Sequence, residues 1–278
     1  MYEQQTKEYA QNGYTLVRGL IPVAEVRELV AHYMEMNAAE RAKEVYDPDI
    51  IADTQDPLKR YPRILNLHRI DTRSKNHLLD PRLRDVMVEI LGIEPFAVST
   101  MIYFKAAGAR GQALHQDQYY LRVNPGTCCA AWVALDDCDE ENGCLQVVPG
   151  SHDLPVLCTI PADTSKSFTN VMVPIPDDMS AESVIMKAGD VLFFNGQLIH
   201  GSLPNISQTR FRRSLITHYI VGDAQQVSHF YNPALRFNGS EVTLDASQDG
   251  SECGVWVEQD GNQRVEMQAV SNSGGYVQ

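Results

Sequence analysis

The chain has 278 residues, 44% of them apolar, which is ample for a packed core in one large domain. Its formal net charge of −13 and the lack of any Lys/Arg-rich run speak against nucleic acid or an anionic membrane as a partner. No apolar stretch approaches the about 18 residues of a spanning helix, and the start Met1-Tyr2-Glu3-Gln4-Gln5 is too polar for a signal peptide, so a cytoplasmic protein is expected. The cysteines Cys128, Cys129, Cys138, Cys144, Cys158 and Cys253 form no C-x-x-C pair and are too sparse for a disulfide scaffold. They are therefore expected to be reduced thiols.

In chain order, Glu3 to Gln11 reads as a helix closed at Asn12-Gly13, and Tyr14 to Val17 as a strand. Pro22 opens a second helix in which Val26, Leu29, Val30, Tyr33 and Met34 recur at helical spacing, a core-packing stripe. From Met36 to Asp71 the pattern is irregular and charged, as in a long loop or short helices over an active site. Pro81 to Leu91 is a third helix. Beyond it, strand-like runs fall at Ala97 to Phe104, Gln112 to Leu121, Cys128 to Leu135, Leu145 to Val148, Asn170 to Pro174, Ser183 to Lys187, Asp190 to Asn195 and Arg213 to Ile220. Helices followed by short punctuated strands give an α+β, mainly β chain whose helices back one sheet of a sandwich or jelly roll. Residues 223–278 are expected as an extension, its polar part from Phe237 forming a loosely attached hairpin and a frayed end.

Three residues carry the chemistry. If the segment after Leu114 is extended, His115 and Asp117 point to one face of a strand and reach one ion. His200 closes the apolar run Val191-Leu192-Phe193-Phe194-Asn195-Gly196-Gln197-Leu198-Ile199 and completes two imidazoles and a carboxylate. That set occupies one face of an octahedral metal and leaves three positions open, as suits non-haem Fe(II) oxygenases. A loop then leads to Arg210, Arg212 and Arg213, any of which could hold a carboxylate by two-point contact. The acidic run Asp136, Asp137, Asp139, Glu140 and Glu141 reads as a solvated turn, and His152 as a structural turn residue. His32, His68, His77, His218 and His229 have no partner pattern. Tyr119, Tyr120, Arg122, Asn195 and Gln197 flank the ligands and are candidates for substrate contact. No pattern specifies an oligomeric state.

The block Ala131-Trp132-Val133-Ala134-Leu135-Asp136-Asp137-Cys138-Asp139-Glu140-Glu141-Asn142-Gly143-Cys144-Leu145-Gln146-Val147-Val148-Pro149-Gly150-Ser151-His152 resembles the signature of the phytanoyl-CoA dioxygenase family. So does Asn12-Gly13-Tyr14-Thr15-Leu16-Val17-Arg18-Gly19-Leu20, and the resemblance runs from about residue 8 to about residue 222. It implies a double-stranded β-helix (cupin-like jelly roll) that uses Fe(II), 2-oxoglutarate and O2 on a small-molecule substrate, with release of succinate and CO2. The implied iron ligands are His115, Asp117 and His200. The implied 2-oxoglutarate contacts are Arg212, Ser202, Trp132 and Met101, with Arg63 in place of an upstream lysine. The gap from His200 to Arg212 is longer than the family's usual spacing, which leaves Arg210 and Arg213 as alternatives. An aspartate at Asp117, where halogenating members resemble this pattern with a small non-ligating residue, implies hydroxylation or a related oxidation rather than halogenation. The expected organisation is one oxygenase domain over 1–278: a helical part with a lid loop at 1–95, a β-helix core at 96–222, and the extension. Two rival readings are a cupin-type metal enzyme that does not use 2-oxoglutarate and a non-catalytic jelly-roll binding module.

Overall fold

The computed structural model describes residues 2–39, 56–176, 178–248, 252–259 and 261–269. Residues 40–55 of the irregular stretch expected over Met36 to Asp71, and the expected frayed end (270–278), lie outside the described residues.

Helices open the chain as the periodicity requires. Helix α1 (Glu3–Asn12) stops at Gly13, whose φ of 81° is the left-handed closure that glycine adopts freely. A side chain there would also collide with His152, since an added Cβ would lie 2.6 Å from its Cγ. Helix α2 (Val23–Ala38) buries Val26, Leu29, Tyr33 and Met36. Short helix α3 (Pro57–Arg60) and α4 (Thr72–Leu78) follow. Helix α5 (Pro81–Leu91) starts at Asp80, whose side chain accepts from the Arg82 N–H, and ends at Gly92 with φ 74°.

The strands are β1 (Tyr14–Val17), β2 (Ile64–Leu65), β3 (Phe96–Tyr103), β4 (Gln112–His115), β5 (Cys128–Ala134), β6 (Leu145–Val147), β7 (Ile160–Pro161), β8 (Val171–Met172), β9 (Glu182–Val184), β10 (Val191–Asn195), β11 (His200–Ser202) and β12 (Ser214–Ile220). Beyond them lie β13 (Gln226–Val227), β14 (Ala234–Leu235), β15 (Glu241–Val242), β16 (Asp245–Ala246), β17 (Glu252–Gln259) and β18 (Asn262–Ala269). A large sheet runs β1-β10-β5-β12-β3-β14-β15 with β2 beside β3, and a smaller one runs β4-β11-β6-β9. Their facing surfaces make the jelly roll.

Strand alternation divides the core. On β12, Leu215 and Tyr219 face outward to the helices, where they join Val26, Leu29, Leu83 and Met87. Ile216 faces inward with Trp132, Leu192 and Phe194, against Leu145 and Val147 of the smaller sheet. The helices therefore back the large sheet and leave the space between the sheets for polar residues at its two ends.

Four expectations need correction. The strand expected over Gln112 to Leu121 ends at His115, and the chain turns at Asp117 into helix α6 (Gln118–Leu121). The C-terminal hairpin β17–β18 is firmly attached, because Cys158 and Cys253 form a disulfide and Trp256 Nε1 donates to the Pro174 carbonyl at 3.1 Å. Cys128, Cys129, Cys138 and Cys144 are free and buried, so only four of the six cysteines match the expectation of thiols. The acidic turn is also not merely solvated: Asp136 pairs with Arg213, Asp137 with Lys187, and Asp139 and Glu141 with Arg210.

Candidate metal centre and carboxylate anchor

His200 on β11 stands opposite His115 on β4, and their ring centroids are 4.2 Å apart. Asp117 comes to them by the helical turn after His115 rather than along the strand. Its Oδ1 is 3.6 Å from His115 Nε2 and its Oδ2 is 3.7 Å from His200 Nε2. The three ligand atoms all lie within 4.8 Å of one another.

The imidazoles are set for ligation from behind. His115 Nδ1 is 2.9 Å from the Ala113 carbonyl and His200 Nδ1 is 2.9 Å from the Leu198 carbonyl. A carbonyl only accepts, so each Nδ1 carries the proton and each Nε2 turns a lone pair inward. The Gln112 amide N–H is the present donor to His115 Nε2 at 3.0 Å, a lone pair that an ion would take over. Burial, then the neighbouring His200, pushes His115 down to about 3, which favours the neutral, ligating form. For Asp117, burial acts upward, but the charges of His200 and His218 and a hydrogen bond from His218 hold the carboxyl well below its usual range. Two imidazoles and one carboxylate, their ligand atoms all within 4.8 Å of one another, suit a divalent iron.

His218, left unassigned from sequence, is the residue that sequence reasoning missed here. It lies on the inward face of β12, and its Nε2 is 3.0 Å from Asp117 Oδ2. Its only signal in the sequence was the place of a histidine in an otherwise apolar run.

At the other end of the site the three arginines have different partners. Arg210 and Arg213 are held by carboxylates at 2.7 Å and 2.6 Å. Arg212 is buried, 2% exposed, and lies over the Trp132 ring at 5.3 Å from its centroid. Its Nε donates to the Gly143 carbonyl at 3.0 Å and its Nη1 to Ser214 Oγ at 2.8 Å, so carboxylate partners are lacking among the described residues. Met101, opposite Ile216 on β3, lines the same interior, and Ser202 lies two residues past His200 on β11. On a strand two residues span about 7 Å, the reach from the chelating end of a five-carbon keto diacid to its far carboxylate.

The remaining candidates divide. Tyr119 and Tyr120 stand beside His115 in a pocket that Leu114, Val171 and Met172 also line. Arg63 lies over Phe168 at 5.3 Å and close enough to His115 for its charge to be felt there. Arg122 donates to Ser228 Oγ at 3.3 Å, Asn195 Oδ1 accepts from the Gln197 N–H at 2.8 Å, and Gln197 Nε2 donates to the Leu154 carbonyl at 3.1 Å. These last three serve the loops around the site and are not brought into the pocket.

Sheets packed in this way, with the ligand set between them, define a double-stranded β-helix of the kind that carries non-haem metal centres. The chain belongs to the phytanoyl-CoA dioxygenase family, whose model, "Phytanoyl-CoA dioxygenase (PhyH)", matches residues 9–214. It is 29% identical over 155 residues to phytanoyl-CoA dioxygenase 1 of Oryza sativa subsp. japonica, a match covering 55% of each chain. It is 26% identical over 245 residues to the peroxisomal phytanoyl-CoA dioxygenase of Rattus norvegicus, covering 81% of this chain and 70% of that one. The matched stretch thus spans little more than half the length of the rice relative. Among solved structures, the non-heme alpha ketoglutarate dependent carbocyclase SnoK from nogalamycin biosynthesis aligns with a TM-score of 0.64 and 21% identity, over 81% of this chain and 86% of that one. That likeness supports the jelly-roll fold.

Proposed function

We propose that the protein is an Fe(II)- and 2-oxoglutarate-dependent oxygenase that hydroxylates a small molecule, with release of succinate and CO2. The observation that carries this reading is the pairing of a three-ligand metal face with a buried arginine that has no carboxylate partner among the described residues. A cupin-type enzyme without 2-oxoglutarate has no use for that arginine. A binding module has no use for the ligand face.

His115, Asp117 and His200 would hold the iron, which when loaded with cosubstrate and O2 supplies the oxidising chemistry. The protein's own work is placement. His115 and His200 present fixed Nε2 lone pairs because the Ala113 and Leu198 carbonyls hold the opposite nitrogens. Arg212 and Ser202 would grip the far carboxylate, while Trp132 and Met101 exclude water from the segment between. Tyr119, Tyr120 and the β7–β8 segment would shape the substrate mouth over His115.

We read 1–278 as one functional unit in which the hairpin beyond the family match supports that mouth. Among the described residues, no helix is long and apolar enough to cross a membrane. A cytoplasmic setting belongs to this reading and suits the four buried thiols. It would reduce the Cys158–Cys253 bond.

The test is succinate release from 2-oxoglutarate with Fe(II), O2 and a panel of small metabolites. Stimulation by at least one candidate, lost in His200→Ala, supports the reading. Anaerobic Fe(II) and 2-oxoglutarate should also give a weak visible charge-transfer band. Its absence in well-folded protein would overturn the reading.

A further inference from the structure

Lys105 is a buried cation for which the ligand set above has no use. It follows β3, is 4% exposed, and adopts a φ of 32°. Its Nζ donates to Ser202 Oγ at 2.7 Å, to the Leu203 carbonyl at 2.6 Å and to the Gly143 carbonyl at 3.3 Å. Arg212 donates to the same Gly143 carbonyl at 3.0 Å, so two cations share one neutral acceptor. Gly143 makes this approach possible, because an added Cβ would lie 2.5 Å from the Leu203 carbonyl oxygen and 3.0 Å from Lys105 Cδ. The partners of both cations are carbonyl and hydroxyl oxygens, with no carboxylate among the described residues. Two adjacent buried positive charges without an anion are costly, and the cost is relieved by a ligand that brings negative charge.

The hydrogen bonds give the lysine a definite task. Ser202 Oγ accepts from Lys105 Nζ and also from the Gln112 N–H at 3.2 Å. With both lone pairs engaged, the serine's own proton is left to donate. Resting on the proposed function above, we propose that Lys105 is a positioning residue for 2-oxoglutarate: it turns the Ser202 hydroxyl toward the far carboxylate and adds a second positive charge beside Arg212. The site thereby selects keto acids with a second carboxylate over those without one. Burial, followed by the nearby Arg212, holds the Lys105 ammonium well below its usual range, as expected of a charge that waits for an anion.

The test uses the full chain loaded with Mn(II), titrated calorimetrically with 2-oxoglutarate and separately with 2-oxobutanoate, which keeps the chelating end and lacks the far carboxylate. Wild type should prefer 2-oxoglutarate strongly. Lys105→Met should lose about 10- to 100-fold in affinity for 2-oxoglutarate while 2-oxobutanoate binding changes little. Lys105→Gln keeps a donor to Ser202 without the charge and should fall between the two, which keeps the test decisive if the methionine variant folds poorly. Equal losses for both keto acids, or an unchanged preference, would overturn the inference and leave the parent reading standing. Wild-type protein that binds neither keto acid would overturn both.

Discussion

His218 Nε2 lies 3.0 Å from Asp117 Oδ2, a contact between residues 101 apart that joins the middle of the large sheet to the proposed metal centre. His218 Nδ1 is buried without a hydrogen-bond partner among the described residues, so among them the contact with Asp117 is the polar constraint on the ring. Partners of this kind typically affect metal affinity by about 10- to 100-fold. His218→Ala should weaken Mn(II) binding by that factor without unfolding the barrel, and His218→Asn, which keeps an N–H, should recover part of it. Mn(II) titration followed by electron paramagnetic resonance checks this, and undiminished affinity in the alanine variant would remove His218 from the site.

The three arginines after the loop should separate cleanly. Arg212→Ala should raise the KM for 2-oxoglutarate by about 100-fold or more, because it removes a buried charge-assisted contact. Arg213→Ala should leave that KM nearly unchanged and cost about 1–2 kcal/mol of stability, since its partner Asp136 is only partly exposed. Arg210→Ala, at a more exposed pair, should cost under about 1 kcal/mol. Steady-state kinetics beside urea unfolding distinguishes the three.

Acid should weaken the helical layer through two buried histidines. Burial holds both His68 and His77 down to about 4 from 6.5, so their folded pKa values lie below the unfolded ones. Between those values the unfolded chain takes up protons that the folded chain refuses. Their stabilising contribution is therefore complete above about pH 6.5, falls as pH drops through that window, and is gone below about pH 4. At pH 5 the loss is roughly 2 kcal/mol for each group. Urea unfolding at the two ends of this window measures it. Neither ring nitrogen of His77 has a hydrogen-bond partner among the described residues, so His77→Phe should remove its share of the slope and hold or raise stability at neutral pH.

Reduction should act locally. Cys158 adjoins Thr159, which lines the cavity beside His115, and its disulfide partner Cys253 lies on β17. Dithiothreitol, or Cys253→Ser, should make the hairpin susceptible to limited proteolysis and lower the thermal midpoint while the two main sheets persist. Identical proteolysis patterns for reduced and oxidised protein would show that Trp256 and the backbone contacts of Gly254 suffice to hold it.

Much of the architecture was legible because the residues that build it are local. Helix α5 announces itself through Pro81, its apolar spacing and Gly92, and β5, β10 and β12 through apolar runs between turns. Asp117 was read as lying on a strand because the short apolar-polar sequence that follows fits a strand as well as one helical turn. Its pairing with His115 survived that error because either path brings the carboxylate back. The choice among the arginines was out of reach, since it depends on carboxylates about 70 residues away that claim Arg210 and Arg213. Lys105 and His218 stayed invisible for a related reason. Each is a single polar residue whose partner is distant in sequence, and nothing in its neighbours encodes that partner. Cys158 and Cys253, 95 residues apart, follow the same rule.

Arg212, Ser214, Ile216 and His218 alternate along the start and length of β12, all turned to the interior. A slip of one residue in its pairing would send all four to the helix-facing side at once. The proposed anchor for the far carboxylate and the contact of His218 with Asp117 would vanish together, and Leu215 and Tyr219 would be driven inward. Under the proposed function, a molecule would be competent only once β12 has closed between β3 and β5 in this register. Activity measured on a refolded sample should accordingly count correctly closed molecules.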